Sequence, residues 1–196
     1  MKTYKGLPLY EIEFNDAESI FNNVSFVTEP AILETFIQLS KQDDERVRLK
    51  VNEENRIVSG PALIPYERIY RNQGGKQFYI TWSPETIKQV AINFFQHNRQ
   101  NEGNVEHQLS VNGICFFESY ILDKERGIVP KEFADLPSGT WMLSAKVNND
   151  EVWEAVKNGL LTGFSIDMTN VSFKEDIEQS INTLEDFYNY LKNNNK

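Results

Sequence analysis

The chain has 196 residues, 40% of them hydrophobic and 12% aromatic, enough apolar surface for one globular domain with a substantial core. A net charge of −9 with a pI near 4.8 spreads a negative field over the molecule and argues against nucleic acid as the main partner. A single cysteine, Cys115, excludes an internal disulfide framework and suits a reducing compartment, and no stretch approaches the roughly 20 apolar residues of a membrane span. The start, Met1 to Pro8, lacks the apolar run of a signal peptide, so the sequence predicts a soluble, intracellular protein.

Leu9–Phe14 alternates and predicts a strand, followed by a turn at Asn15–Glu18. Val24–Thr28 predicts a second strand, ended at Pro30 because proline cannot donate to a ladder. Residues 31–39 read as extended or as a short helix, with the extended form favoured in the second half. Asp43-Asp44-Glu45 is a solvated charged turn. Arg48–Val51 and Arg56–Gly60 predict a hairpin, and Pro61–Pro65 an extended apolar run. Tyr66–Gln73 is polar, Gly74-Gly75 signals a turn, and Gln77–Trp82 predicts a strand.

Ser83-Pro84-Glu85 marks a helix start, with serine as N-cap, proline at the first position and acid in the first turn. That helix carries Ile87, Val90, Ala91, Phe94 and Phe95 on one face and ends near His97-Asn98. A loop over Asn101–Gln108 leads to a long strand at Ile114–Leu122, a loop to Ser138, and a strand at Gly139–Val147. Asp150–Lys157 is a short amphipathic helix capped by Asn149 or Asp150, with Gly159 as its left-handed stop. The next strand, Gly163–Met168, turns Phe164 and Ile166 to one face and Gly163, Ser165 and Asp167 to the other. Asn170–Phe173 extends it, and Ile177–Leu191 predicts a C-terminal helix. Strands dominate and do not alternate with helices, which predicts the α+β class: a small mixed or antiparallel barrel with helices packed outside.

Chemistry-bearing residues are few. Trp82, Trp141 and Trp153 read as core or rim aromatics, and Cys115 as a buried thiol. Of the two histidines, His97 ends a helix, where a cation suits the dipole. His107 stands where a loop meets the next strand, and neutral imidazole is the usual base for a serine hydroxyl. Ser165, fixed on regular structure, is the candidate nucleophile. No phosphate loop, metal-ligand cluster or Gly-x-Ser-x-Gly signature is present, so no cofactor or metal is expected.

The segment from Val152 through Lys157, Asn158-Gly159, to Gly163-Phe164-Ser165-Ile166 resembles the nucleophile segment of phage prohead (capsid maturation) serine proteases. Val58–Pro65 resembles that family's opening strand. The helix ending in Phe94-Phe95, then Glu106-His107, Phe117–Ile121 and Gly139–Trp141, resembles the prophage-type subgroup, over residues 56–168 in all. In the commoner branch a segment like Val24-Ser25-Phe26-Val27-Thr28-Glu29-Pro30-Ala31 follows the serine strand; here it stands at the front of the chain. The resemblance therefore implies a circularly permuted, herpesvirus-assemblin-like barrel in which Val24–Thr28 pairs beside the Ser165 strand. One protease domain would span 1–196: residues 1–40 supply the closing strand, 56–168 the catalytic core and 177–192 a helix.

By the same resemblance Ser165 attacks a peptide carbonyl and His107 is its base. The third member is left open, with Glu118 ranked before Asp167 and then Asn23, which falls where the commoner branch has an acid. Substrates would be phage scaffold and major capsid precursors, inside the assembling prohead in the host cytoplasm. Dimerisation is expected from related proteases, and neither nucleic acid nor membrane is expected as a partner. The rival readings are a catalytically inactive head component of the same fold and an unrelated α+β binding module.

Overall fold

In the computed structural model the described residues are 2–15, 18–30, 50–52 and 55–174. The C-terminal helix expected over 177–192, the charged turn near 43–45 and the segment 31–39 lie outside them. Thirteen strands, two α-helices and two short 3-10 helices make up the described part, an α+β fold in which strands predominate.

The strands form three sheets. The first runs β1 (Thr3–Tyr4), β2 (Leu7–Glu13), β7 (Lys76–Trp82), β6 (Ile69–Gln73), with β13 (Ser172–Phe173) also on β2. The second runs β10 (Ile114–Ile121), β11 (Trp141–Val147), β5 (Ile57–Leu63), β4 (Lys50–Asn52). The third runs β12 (Gly163–Thr169), β3 (Ile20–Val27), β8 (Gly103–Val105), β9 (Leu109–Val111). Most pairs are antiparallel, but β2 pairs parallel to β7 and β3 parallel to β8.

The barrel expected from sequence is not closed by these ladders. Strands β5 and β12 approach each other, yet among the described residues no ladder joins them. The reason lies in β5. Its first half is already paired with β4 over Ile57–Ser59, and Pro61 in its second half has no N–H to give.

Helix α1 (Pro84–Gln96) starts as its sequence predicts: Ser83 Oγ accepts from Thr86 N–H at 3.2 Å. Helix α2 (Asp150–Lys157) is capped by Asn149, whose Oδ1 accepts from Val152 N–H at 3.0 Å. It ends at Gly159, with φ +67°, in a Schellman arrangement: Leu160 N–H donates to Ala155 O and Gly159 N–H to Val156 O.

The core continues beneath the third sheet. Phe26 on β3, Phe116 on β10 and Phe164 on β12 form a triangle of rings, with centroids 5.1 to 6.2 Å apart. Phe94 of α1 packs on Phe116 and Trp141. Trp82, Trp141 and Trp153 are all buried core residues. Burying each such aromatic contributes about 1.5–3 kcal/mol, and this layer holds the inner faces of β3 and β12. Their outer faces are left to polar residues.

Candidate functional site

Strand β12 pairs antiparallel with β3, and the register sets Ser165 opposite Ser25 and Asp167 opposite Asn23. Across the other edge of β3, Ser25 is in register with Asn104 of β8. Alternation does the rest: Val24, Phe26 and Phe164 go into the core, so Ser165, Ser25 and Asn104 form one polar row across three strands.

His107 folds over this row. It lies in the turn between β8 and β9, where Glu106 and His107 both have positive φ, 54° and 56°. Gln108 N–H donates to Val105 O at 3.1 Å, so the turn has the primed form that suits a hairpin's twist. Two non-glycine residues in that region cost about 1–2 kcal/mol each. Bonds to β3 hold them there. Glu106 N–H donates to Phe26 O at 3.0 Å, Thr28 N–H donates to Glu106 Oε1 at 2.6 Å, and His107 N–H donates to Ser25 Oγ at 3.2 Å. Backbone strain held by such bonds marks a place where position matters.

The ring bridges two serines. His107 Nε2 lies 2.9 Å from Ser165 Oγ, and Nδ1 lies 3.0 Å from Ser25 Oγ. Ser25 is fully buried, and its Oγ is also 2.8 Å from Asn23 Oδ1 and 2.9 Å from Asn104 Oδ1. Burial of the ring against the strands pushes the His107 pKa below the ordinary 6.5. The charges of Asp167 and Glu106 work against that shift, and Arg71 adds to it. A neutral ring at physiological pH with a nitrogen facing a serine hydroxyl can act as a general base.

Beside Ser165 is a small recess that opens to solvent. Ala62, Leu63, Ile69, Trp82 and Phe164 give it apolar walls, and Arg71 is its one charged lining residue. It lies on the seam between β5 and β12, where the missing ladder leaves space.

Asp167 shares the face of Ser165 and accepts from Asn22 Nδ2 at 3.0 Å; it acts on His107 through space. Asn23 reaches the site through Ser25. Glu118 is on β10, in a different sheet, and accepts from Ser144 Oγ at 2.5 Å. His97 ends α1, with Nδ1 3.1 Å from Asn93 O. Cys115 is half-buried on β10, more open than its apolar neighbours suggest. Sequence reasoning missed Ser25 and Asn104. The signal for Ser25 was a lone hydroxyl between Val24 and Phe26, at the buried centre of a strand. Among the described residues no group of three histidine, cysteine, aspartate or glutamate side chains is placed to hold a metal ion.

No curated protein and no solved structure matches the chain. A family model described as "Putative phage serine protease XkdF" matches residues 44–174, about two thirds of the chain. It takes in β8 with its histidine turn and β12 with its serine, and it begins after β3. The chain belongs to this family of phage serine proteases.

Proposed function

We propose that the protein is a serine endopeptidase in which Ser165 is the nucleophile and His107 its base, and that it cleaves scaffold and capsid precursor proteins as a phage head matures. The observation that carries this reading is the 2.9 Å approach of His107 Nε2 to Ser165 Oγ, from segments far apart in sequence. Ser165 O–H gives its proton to Nε2 as Oγ attacks the peptide carbonyl. The same proton passes to the departing amine as the C–N bond breaks, leaving an acyl ester on Ser165. Water then attacks that ester, losing a proton to Nε2, and Oγ recovers it when it leaves. The recess between β5 and β12 receives a substrate side chain next to the bond being cut.

An assemblin-like, circularly permuted arrangement is supported by β3, from the front of the chain, lying in register beside β12. The protein would then act inside the assembling head, in the host cytoplasm, as a monomer or dimer. No helix of the described residues is long and apolar enough to cross a membrane.

The test is co-expression of the head precursor with wild-type protein, Ser165→Ala or His107→Ala. Only the wild type should process it. Normal processing by either variant ends the assignment.

A further inference from the structure

We propose that Ser25 holds the place that a carboxylate usually takes: it is the positioning residue that keeps His107 protonated on Nδ1 and bare on Nε2. The inference rests on the Ser165–His107 reading above and names the third member it lacks. A hydroxyl has one proton and two lone pairs. The backbone N–H of His107, 3.2 Å from Ser25 Oγ, can only donate, so it fills one lone pair. Asn23 Oδ1 at 2.8 Å and Asn104 Oδ1 at 2.9 Å can only accept, so the hydroxyl proton points to that side.

One lone pair remains, and it meets Nδ1 at 3.0 Å. That nitrogen must bring the proton. With Nδ1 donating, one carbonyl oxygen takes the hydroxyl proton and one is left facing the hydroxyl oxygen without a proton; the opposite assignment, with Ser25 donating to Nδ1, leaves both so. An imidazole protonated on Nδ1 is bare on Nε2, the atom that faces Ser165 Oγ. The relay runs from Ser165 to His107 to Ser25 and ends on Asn104 or Asn23, and every member is neutral at rest. During acyl transfer the Nδ1 proton stays on Nδ1 and Ser25 gains none.

The setting makes Ser25 suited to this task. It is fully buried in the middle of β3, with β12 on one side and β8 on the other, so its Oγ is fixed by two ladders. The charged groups facing the ring are Asp167 on β12, Glu106 on the same turn and Arg71 on β6. None of them is the hydrogen-bond partner found at Nδ1, which is Ser25. A neutral partner fixes the ring's orientation and tautomer as an acid does, without adding a full charge to stabilise imidazolium.

The experiment uses the whole protein labelled with ¹⁵N-histidine, in a His97→Gln background so that only His107 reports. Imidazole nitrogen shifts, read above the pH where the ring titrates, distinguish a protonated nitrogen from a bare one. The expected result is a protonated Nδ1 and a bare Nε2. In Ser25→Ala the population should move toward protonated Nε2. Its adduct formation at Ser165 with a fluorophosphonate should slow about ten- to a hundredfold, the scale of one lost and unsatisfied hydrogen bond. Ser25→Thr, which keeps the hydroxyl, should recover the Nδ1 signature and most of the rate. A wild-type ring protonated mainly on Nε2 overturns the proposal, whatever the variants do. So does a Ser25→Ala protein with an unchanged tautomer and an unchanged labelling rate. If the wild type shows the Nδ1 form but never labels, the protease reading fails while the tautomer assignment stands.

Discussion

Gly163 begins the strand that carries Ser165, and its lack of a side chain has a measurable purpose. A Cβ at this position would stand 2.3 Å from Pro30 Cγ and 2.7 Å from Pro30 Cβ. Carbon atoms prefer about 3.5–4.0 Å, so Gly163→Ala forces the ring and the strand apart by more than about 1 Å. Neither side yields easily: Pro30 is buried and rigid, and Gly163 is paired with Val27. Overpacking of this kind costs about 1–3 kcal/mol. The alanine recovers about 0.4–1 kcal/mol by stiffening the unfolded chain. The net loss is about 0–2.6 kcal/mol, or up to about 10 °C in melting temperature at this chain length. Activity should suffer more. Gly163 is two residues from Ser165 on the same face, and a misplacement of about 1 Å at a reacting atom costs about a hundredfold. Thermal melting and the rate of fluorophosphonate labelling measure the two effects, and adding Pro30→Ala to Gly163→Ala should restore most of both. A Gly163→Ala protein with wild-type melting and labelling would refute the idea that this contact sets the position of Ser165.

Other predictions follow from the same geometry. The His107 pKa lies below the ordinary 6.5 and the base must be neutral, so labelling should rise with pH through a midpoint on the acid side of that value. Asp167→Asn removes a charge that favours imidazolium and should move the midpoint lower; Arg71→Gln removes an opposing charge and should move it higher. A pH-rate profile of each variant checks both signs. A chain starting at residue 44, where the family match begins, loses β2, β3 and Ser25; it should show no cooperative unfolding and no labelling. Glu118→Gln should label at close to the wild-type rate, because the Glu118 carboxylate is engaged with Ser144 in another sheet. A loss of tenfold or more there would return Glu118 to the site.

Local signals carried part of this architecture in the sequence. Ser83-Pro84-Glu85, Asn149 and Gly159 announce their helix ends because caps are written in adjacent residues. The alternation around Ser165 gives its facing correctly for the same reason. Strand β6 was hidden by a polar run, Tyr70-Arg71-Asn72-Gln73, whose order comes from pairing with β7 across Gly74-Gly75. Strands β8 and β9 have three residues each, too few for a period to show, so the stretch reads as a loop. The pairing of β3 with β12 was legible only through the resemblance of Val24–Ala31 to a segment found elsewhere in related chains. Ser25 was hidden for a deeper reason. Its role depends on β8 lying parallel to β3, which brings Asn104 and the His107 turn over it, and no local pattern reveals a parallel pairing between segments so far apart. Glu118 looked close to His107 along the chain, yet β10 leaves that sheet and a bulge between Phe116 and Glu118 resets its register with β11.

On the proposed reading, His107 makes Ser165 a nucleophile. The most direct test of this is mass spectrometry of the protein after treatment with a fluorophosphonate, at a pH above the His107 titration. The account predicts one adduct, on the peptide containing Ser165, and its loss in His107→Ala. An adduct on a different serine, or undiminished labelling of Ser165 without the imidazole, would contradict it.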